Sequence, residues 1–500
     1  MKKNIYLIPH STFWDHFYKI SQIPRPSKNE KAICQYVMGL AKDLGLNAEM
    51  DRAGGHDFGN IVVKVPASPG YEQAPIVIIQ SHLDIVALPE ERKNEPLELI
   101  LDGTILRASG STLGADNGVA IAIVLTLMTE KEIVHGPLEL LFTIDEETGM
   151  TGAHALSDSV LSGKYLINID SEEEDVLTVG CAGGNRTYIN MRLVTESPAA
   201  GYTPIRLIAS GFKGGHSGME INRGRANAGQ LLARLLFVER GNFNFRLVEL
   251  GWGTVDNAIP SEAFAVVMVK IEQLADLKSA LKRWEESFRK EYGSVETNLE
   301  ITFEEDVNPP DYVLTQVSMT NTLALLVSLP HGAAKMSPDI PGLVETSSNL
   351  AVVKMDQREL SISISQRSST DPSLDWIVSK CEACAILVGA NWEHSSRYSG
   401  WQPNMQSKLL EVCERSYKSL FGKSPGVSAL HAGLECGLIG AKYPDMDMIS
   451  IGPTIWDAHT PTKAGFRPGV DSGVKGERMD TARMSDFWKF VQAVLKNLAE

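Results

Sequence analysis

Three short runs of Val, Ile and Leu in this chain end on histidine or acid, and no other feature narrows the fold as much. Residues 76–80 lead into Ser81-His82-Leu83-Asp84, residues 138–144 into Asp145-Glu146-Glu147, and residues 165–169 into Asp170. Runs this short and this rich in β-branched residues read as buried strands, as does 59–65. Between them, 115–128 reads as a helix opened by Gly114-Ala115-Asp116-Asn117. Strands alternating with helices predict an α/β layer with a largely parallel sheet, in which ligands gather at the strand ends.

Further along, 195–203 turns to Glu, Ser, Pro, Ala and Gly and reads as a crossing between domains. After it, strands at 205–210 and 263–269 and helices at 226–239 and 274–290 predict a small α+β body, continued by 313–328, 360–366 and 376–388. A second crossing is expected near 395–403, with the helices 407–421 and 484–498 and the strand 448–451 returning to the first sheet. The predicted boundaries are 1–187 with 399–500 for the first body and 188–398 for an insertion. Residues 464–474, rich in Gly, read as a mobile surface loop.

At 500 residues the chain is too long for one ordinary core. Its 47 Lys+Arg against 62 Asp+Glu give a net charge of -15, with no basic stripe, which argues against nucleic acid and anionic membranes as partners. No apolar run approaches the roughly 18 residues a membrane-spanning helix needs. Six scattered cysteines make no disulfide framework, and the expected location is a reducing cytoplasm. Cys381 and Cys384, three apart on a predicted helix, read as buried thiols rather than a redox or zinc pair.

Each polar cluster has an ordinary explanation beside a chemical one. His82 and Asp84, at i and i+2, share a face, so Asp84 can steady a metal-bound His82; a hydrogen-bonded structural histidine fits equally well. Asp116 at a helix start can simply cap it. Asp145, Glu146 and Glu147 repel one another at close quarters, a cost that a nearby cation removes and a solvated loop merely dilutes. Asp170 ends its strand, whereas residues 172–175 read as a solvated acidic turn. His459 is a lone loop histidine that gains weight only from the others. Two histidines with three or four carboxylates suit zinc, with manganese or cobalt tolerated. One carboxylate should bridge two metals and one acid should stay uncoordinated to take a proton from water.

The order HLD, GADNG, DEETG, NIDSEEE, GGHSG, NAIP, ETSSN and HAGLECG resembles the aminoacylase/carboxypeptidase-like dizinc metallopeptidases, and among them the aminoacyl-histidine dipeptidase branch. The resemblance implies an α/β catalytic domain, a mixed sheet flanked by helices, with an inserted α+β lid domain. It implies two zinc ions, one held by His82, Asp116 and Asp170, the other by Asp116, Glu147 and His459. Asp84 would orient His82, and Glu146 would be the general base on the zinc-bound water. His216 would stabilise the oxyanion, and Asn257 and Arg367 would hold the substrate carboxylate. His431 and Glu435 are expected to line the cleft on the substrate side. Because His216 and Arg367 lie in the insertion, catalysis is expected to need lid closure.

The function implied is cleavage of dipeptides, Xaa-His-like or broad in specificity, with a small peptide as partner and homodimerisation left open. Residues 464–475 look like an insertion relative to that pattern, and Met219 and Arg223 look unusual. The rival readings are an amidohydrolase that deacylates N-acyl amino acids and a catalytically silent binding protein.

Overall fold

The computed structural model describes residues 11–52, 57–395, 397–471 and 473–500. By its internal contacts the chain divides into two units. One comprises the chain up to Gly180 with Pro403–Ala429 and Leu434–Glu500; the other comprises Cys181–Gln402 and Leu430–Gly433. The chain thus leaves the first unit at 180, earlier than the 187 expected, because the strand Gly183–Arg192 already belongs to the second sheet. The polar stretch 195–203 is a connection inside the second unit.

The first unit is built on an eight-stranded mixed sheet. Its centre is three parallel strands, β1 (Val77–His82), β2 (Leu138–Thr143) and β3 (Tyr165–Asn168), and β4 (Asp447–Ser450) runs parallel beside β3. All residues of β1, β2 and β3 are buried, which is why their sequence is a near-continuous apolar run. The register sets His82 opposite Thr143 and Gln80 opposite Asn168, so the three strands end level with one another. The outer strands Asn47–Asp51 and Asn60–Val65 pair antiparallel, so the sheet is less parallel than the central runs suggest.

The helix α1 (Ala115–Thr129) is buried at every residue from Asn117 to Met128. The helix Ser11–Ser21 covers it with the buried side chains of Phe13, Trp14, Phe17 and Ile20. Gly118 allows that approach, since a Cβ there would lie 2.7 Å from the Arg25 guanidinium and 3.3 Å from Phe17.

The second unit carries a nine-stranded sheet whose pairings are antiparallel. Ile205, Leu207 and Ala209 join a core with buried residues of the helices Ala228–Glu239, Leu274–Tyr292, Gln316–Ser328 and Asp371–Leu387. Alternate residues such as Arg206 and Ile208 line the opposite face. Cys381 is buried on the last of those helices and accepts a hydrogen bond from Gln366, and burial pushes its thiol up to about 12. No disulfide joins any of the six cysteines, and no helix among the described residues is long and apolar enough to cross a membrane.

Candidate metal centre

The parallel strands end side by side, so the residues that follow them converge. His82 is the last residue of β1, Asp170 lies two beyond β3, and Glu147 follows β2 through a tight turn. In that turn Asp145 takes a left-handed conformation with φ of 50° and ψ of 49°. Asp116 sits at the start of α1, and His459 comes from the loop after β4 with φ of 61°.

Asp116 divides its two oxygens between two groups. Oδ1 lies 3.0 Å from His82 Nε2, which is also 3.2 Å from Asp170 Oδ1. Oδ2 lies 3.0 Å from His459 Nε2, which is also 3.1 Å from Glu147 Oε1. Each imidazole nitrogen thus faces two carboxylate oxygens, although it can donate only one proton. A cation on each side of Asp116 satisfies all of these atoms at once, and a set of imidazole nitrogens and carboxylate oxygens suits zinc, manganese or cobalt. His82, Asp116 and Glu147 each place a ligand atom within 4.8 Å of the others.

The charges follow from that crowding. Burial pulls the His82 imidazolium down, but Asp170, Asp116 and Asp84 more than reverse this and the net shift is upward. Asp116 and Glu147 push His459 up to about 11. Burial would raise Asp116, yet the two histidines hold it well below the usual carboxylate range. Asp170 is raised to about 6, chiefly by burial. Burial also raises Glu146, with Asp170, Glu435 and Glu147 adding to it against His82. No described residue hydrogen-bonds the Glu146 carboxylate.

Around these groups lies a shell of buried polar side chains. Asp84 faces His82 Nδ1 at 3.3 Å and accepts from the backbone N–H of Glu146 at 3.0 Å, that of Glu147 at 3.2 Å and Ser27 Oγ at 2.8 Å. One carboxylate therefore steadies the histidine and the turn that carries both glutamates. Glu30 accepts the preceding N–H, that of Asp145, at 2.9 Å. Asn117 donates to Asp170 Oδ1 at 2.6 Å. Arg25 and Glu477, described below, brace the turn before Asp116. Sequence reasoning passed over Glu30, Asn117, Arg25 and Glu477, because a single Arg, Asn or Glu at long range leaves no local pattern.

Two expectations change here. Glu435 does not line a cleft: it is fully buried and accepts from Gln80 Nε2 at 2.6 Å and Thr143 Oγ1 at 2.7 Å, beneath the ends of β1 and β2. Residues 172–175 are not simply solvated. Glu174 pairs with Arg483, Asp175 pairs with Tyr417 and Lys423, and burial raises Glu172 to about 8.

Within the second unit, His216 and Asn257 come together on a two-strand ladder that pairs Gly215–His216 with Ala258–Ile259. Ser217 donates to Asn257 O at 2.8 Å. Asn349 donates to Asp256 O at 3.1 Å and Ala258 O at 2.8 Å, fixing that corner. His216 Nδ1 accepts the N–H groups of Gly218 and Met219, so its proton is on Nε2, and burial beside Arg367 lowers its pKa. His431 hydrogen-bonds Ser347 Oγ at 2.7 Å, and burial with Arg367 and His216 nearby lowers it to about 3. Arg367 donates to the Tyr398 hydroxyl at 3.2 Å and has no carboxylate partner among the described residues. Two neutral histidines and an unpaired guanidinium suit an anion. Tyr398 and Ser347 were not foreseen.

The sequence profile of peptidase family M20/M25/M40 matches residues 78–476. The chain is 37% identical over 492 residues to the cytosol non-specific dipeptidase of Escherichia coli (strain K12), covering 97% of each protein. Among solved structures it resembles the aminoacylhistidine dipeptidase of Vibrio alginolyticus, with a TM-score of 0.89 and 35% identity over 99% of this chain and 98% of that one. The aminopeptidase PepT of Bacillus cereus shares the fold at a TM-score of 0.57 and 15% identity, over 99% of this chain and 100% of that one.

Proposed function

The chain belongs to peptidase family M20/M25/M40, and from that membership we propose that it is a cytoplasmic metallodipeptidase working with two zinc ions. The observation that carries this reading is Asp116, which shares one oxygen with His82 and Asp170 and the other with His459 and Glu147. His82, Asp116 and Asp170 would hold one ion, and Asp116, Glu147 and His459 the other. Bound there, the ions supply Lewis acidity, which activates water near neutral pH and polarises the scissile carbonyl.

The protein groups do the rest. Glu146 projects from the same turn as Glu147 with its carboxylate free of hydrogen bonds among the described residues, and its raised proton affinity suits a general base that takes a proton from water and returns it to the leaving amine. Asp84 keeps its charge and holds the His82 ring and the Glu146–Glu147 backbone in place. His216, neutral with its proton on Nε2, is placed to donate to an oxyanion. Arg367 and Asn257 are the candidates for the free carboxylate of a dipeptide, and His431 belongs with them through Ser347 and the field of Arg367.

A comparison of turnover on a dipeptide, the matching N-acetyl amino acid and a pentapeptide tests the reading. The dipeptide is expected to be cleaved fastest. Faster turnover of the N-acetyl compound would favour an amidohydrolase, and equal rates on dipeptide and pentapeptide would remove the carboxylate clamp.

A further inference from the structure

We infer that Glu477 is a positioning residue for the second metal, fixing both the bridging Asp116 and the loop of His459. The inference rests on the proposed role of Asp116 as the shared ligand. A helix leaves its first N–H groups without partners, and a Ser, Thr, Asp or Asn side chain ordinarily satisfies one. The turn that leads into α1 opens at Gly114, left-handed with φ of 63°, and Asp116 (φ -81°, ψ 107°) and Asn117 (φ -111°, ψ 31°) are themselves off helical geometry, so the N–H groups of this turn need partners from elsewhere. Glu477 fills that gap from far along the chain. Its Oε2 accepts from Leu113 N at 3.0 Å, and its Oε1 from Ala115 N at 2.7 Å and Asp116 N at 3.4 Å. Both oxygens are thereby engaged by backbone, so Glu477 is not a spare ligand even though it is 1% exposed and close to Asp116.

The same residue ties down the loop of the other ligand. Glu477 N donates to Thr460 O at 2.7 Å, one residue beyond His459, and Thr462 N donates to Ser111 O at 3.0 Å. Residues 464–475, which look like an insertion, are therefore closed at their base rather than left loose. Phe466 is buried beneath the Arg107 guanidinium, 5.0 Å from its ring centre. Arg25 is 2% exposed and donates to Gly114 O at 3.0 Å, Leu83 O at 2.9 Å and Asp84 O at 3.1 Å. A buried guanidinium and a buried carboxylate thus both grip the Gly114–Asp116 turn, one through its carbonyl and the other through its N–H groups.

Zinc titration of the metal-free, full-length protein by calorimetry tests this. In Glu477→Ala the weaker of the two equivalents is expected to lose on the order of 10- to 100-fold in affinity, the range for removing a group that orients a ligand. Glu477→Gln, which keeps one acceptor oxygen, should lose less. An Asp471→Ala variant, altered within the same segment but away from the ligands, should bind as wild type does. Wild-type affinity for both equivalents in Glu477→Ala overturns the inference; if that variant does not fold, the same result in Glu477→Gln overturns it. A wild-type protein that binds no zinc would instead overturn the reading of Asp116 itself.

Discussion

Glu146 and Glu147 are neighbours in sequence, yet the turn after β2 sends them to different work. Glu147 lies against His459, while the Glu146 carboxylate has no hydrogen-bond partner among the described residues and its backbone N–H is held by Asp84. Glu146→Gln is therefore expected to lower kcat on the order of 10²- to 10⁴-fold, the usual contribution of a general base, with zinc content unchanged by elemental analysis. A near-normal kcat would assign the base elsewhere. Asp84→Asn leaves one oxygen to serve His82 and two N–H groups, so affinity for zinc should fall on the order of 10- to 100-fold. Equilibrium dialysis against zinc measures it, and unchanged affinity would mean the ring is held without Asp84. Arg367→Ala should raise KM for a dipeptide more than it lowers kcat, and should leave an amidated dipeptide unaffected. A kcat defect of equal size on both substrates would assign Arg367 another role.

At the scale of elements, the helix Ser11–Ser21 gives a prediction of its own. His16 is buried to 4% exposure against α1, where its Nε2 lies 3.1 Å from Thr129 Oγ1. That hydroxyl already donates to Leu125 O, so the imidazole is the donor and its buried Nδ1 is bare. Burial, with Lys19 adding to it, lowers His16 from 6.5 to about 4. The unfolded chain then binds a proton that the folded one refuses. Stability is full above pH 6.5 and falls as the pH drops towards 4, by about 3 kcal/mol at most from this one group. Denaturant melts from pH 7 to 4 should show a shallower decline for His16→Gln, and parallel curves would contradict it. The strands that end in the proposed ligands were legible because burial on both faces makes them apolar throughout. The Ser-rich strands Val344–Met355 and Glu359–Ser368 were harder to read, and of the first only the motif Glu345–Asn349 stood out.

Across the whole molecule, the motifs pointed to the proposed ligands while the scaffold that aims them stayed hidden. His82, Asp116, Glu147, Asp170 and His459 could be read because each sits at the edge of an apolar run or in a motif of recognisable order. The fold brings all five together in one unit. Their supports could not be read: Glu477 holds the turn at Ala115, 362 residues earlier in the chain, and Glu435 locks β1 to β2 from a motif that suggested substrate contact. The boundary near 187 was misplaced for a related reason, since Gly183–Arg192 is a strand whose partners lie far along the chain. The most direct test of the account is dipeptide hydrolysis followed as zinc is added back to the metal-free protein. Activity should be absent without metal and should rise until about two equivalents are bound, as a pair of ions sharing one carboxylate requires. Full activity with one equivalent, or hydrolysis that persists in chelator, would contradict it.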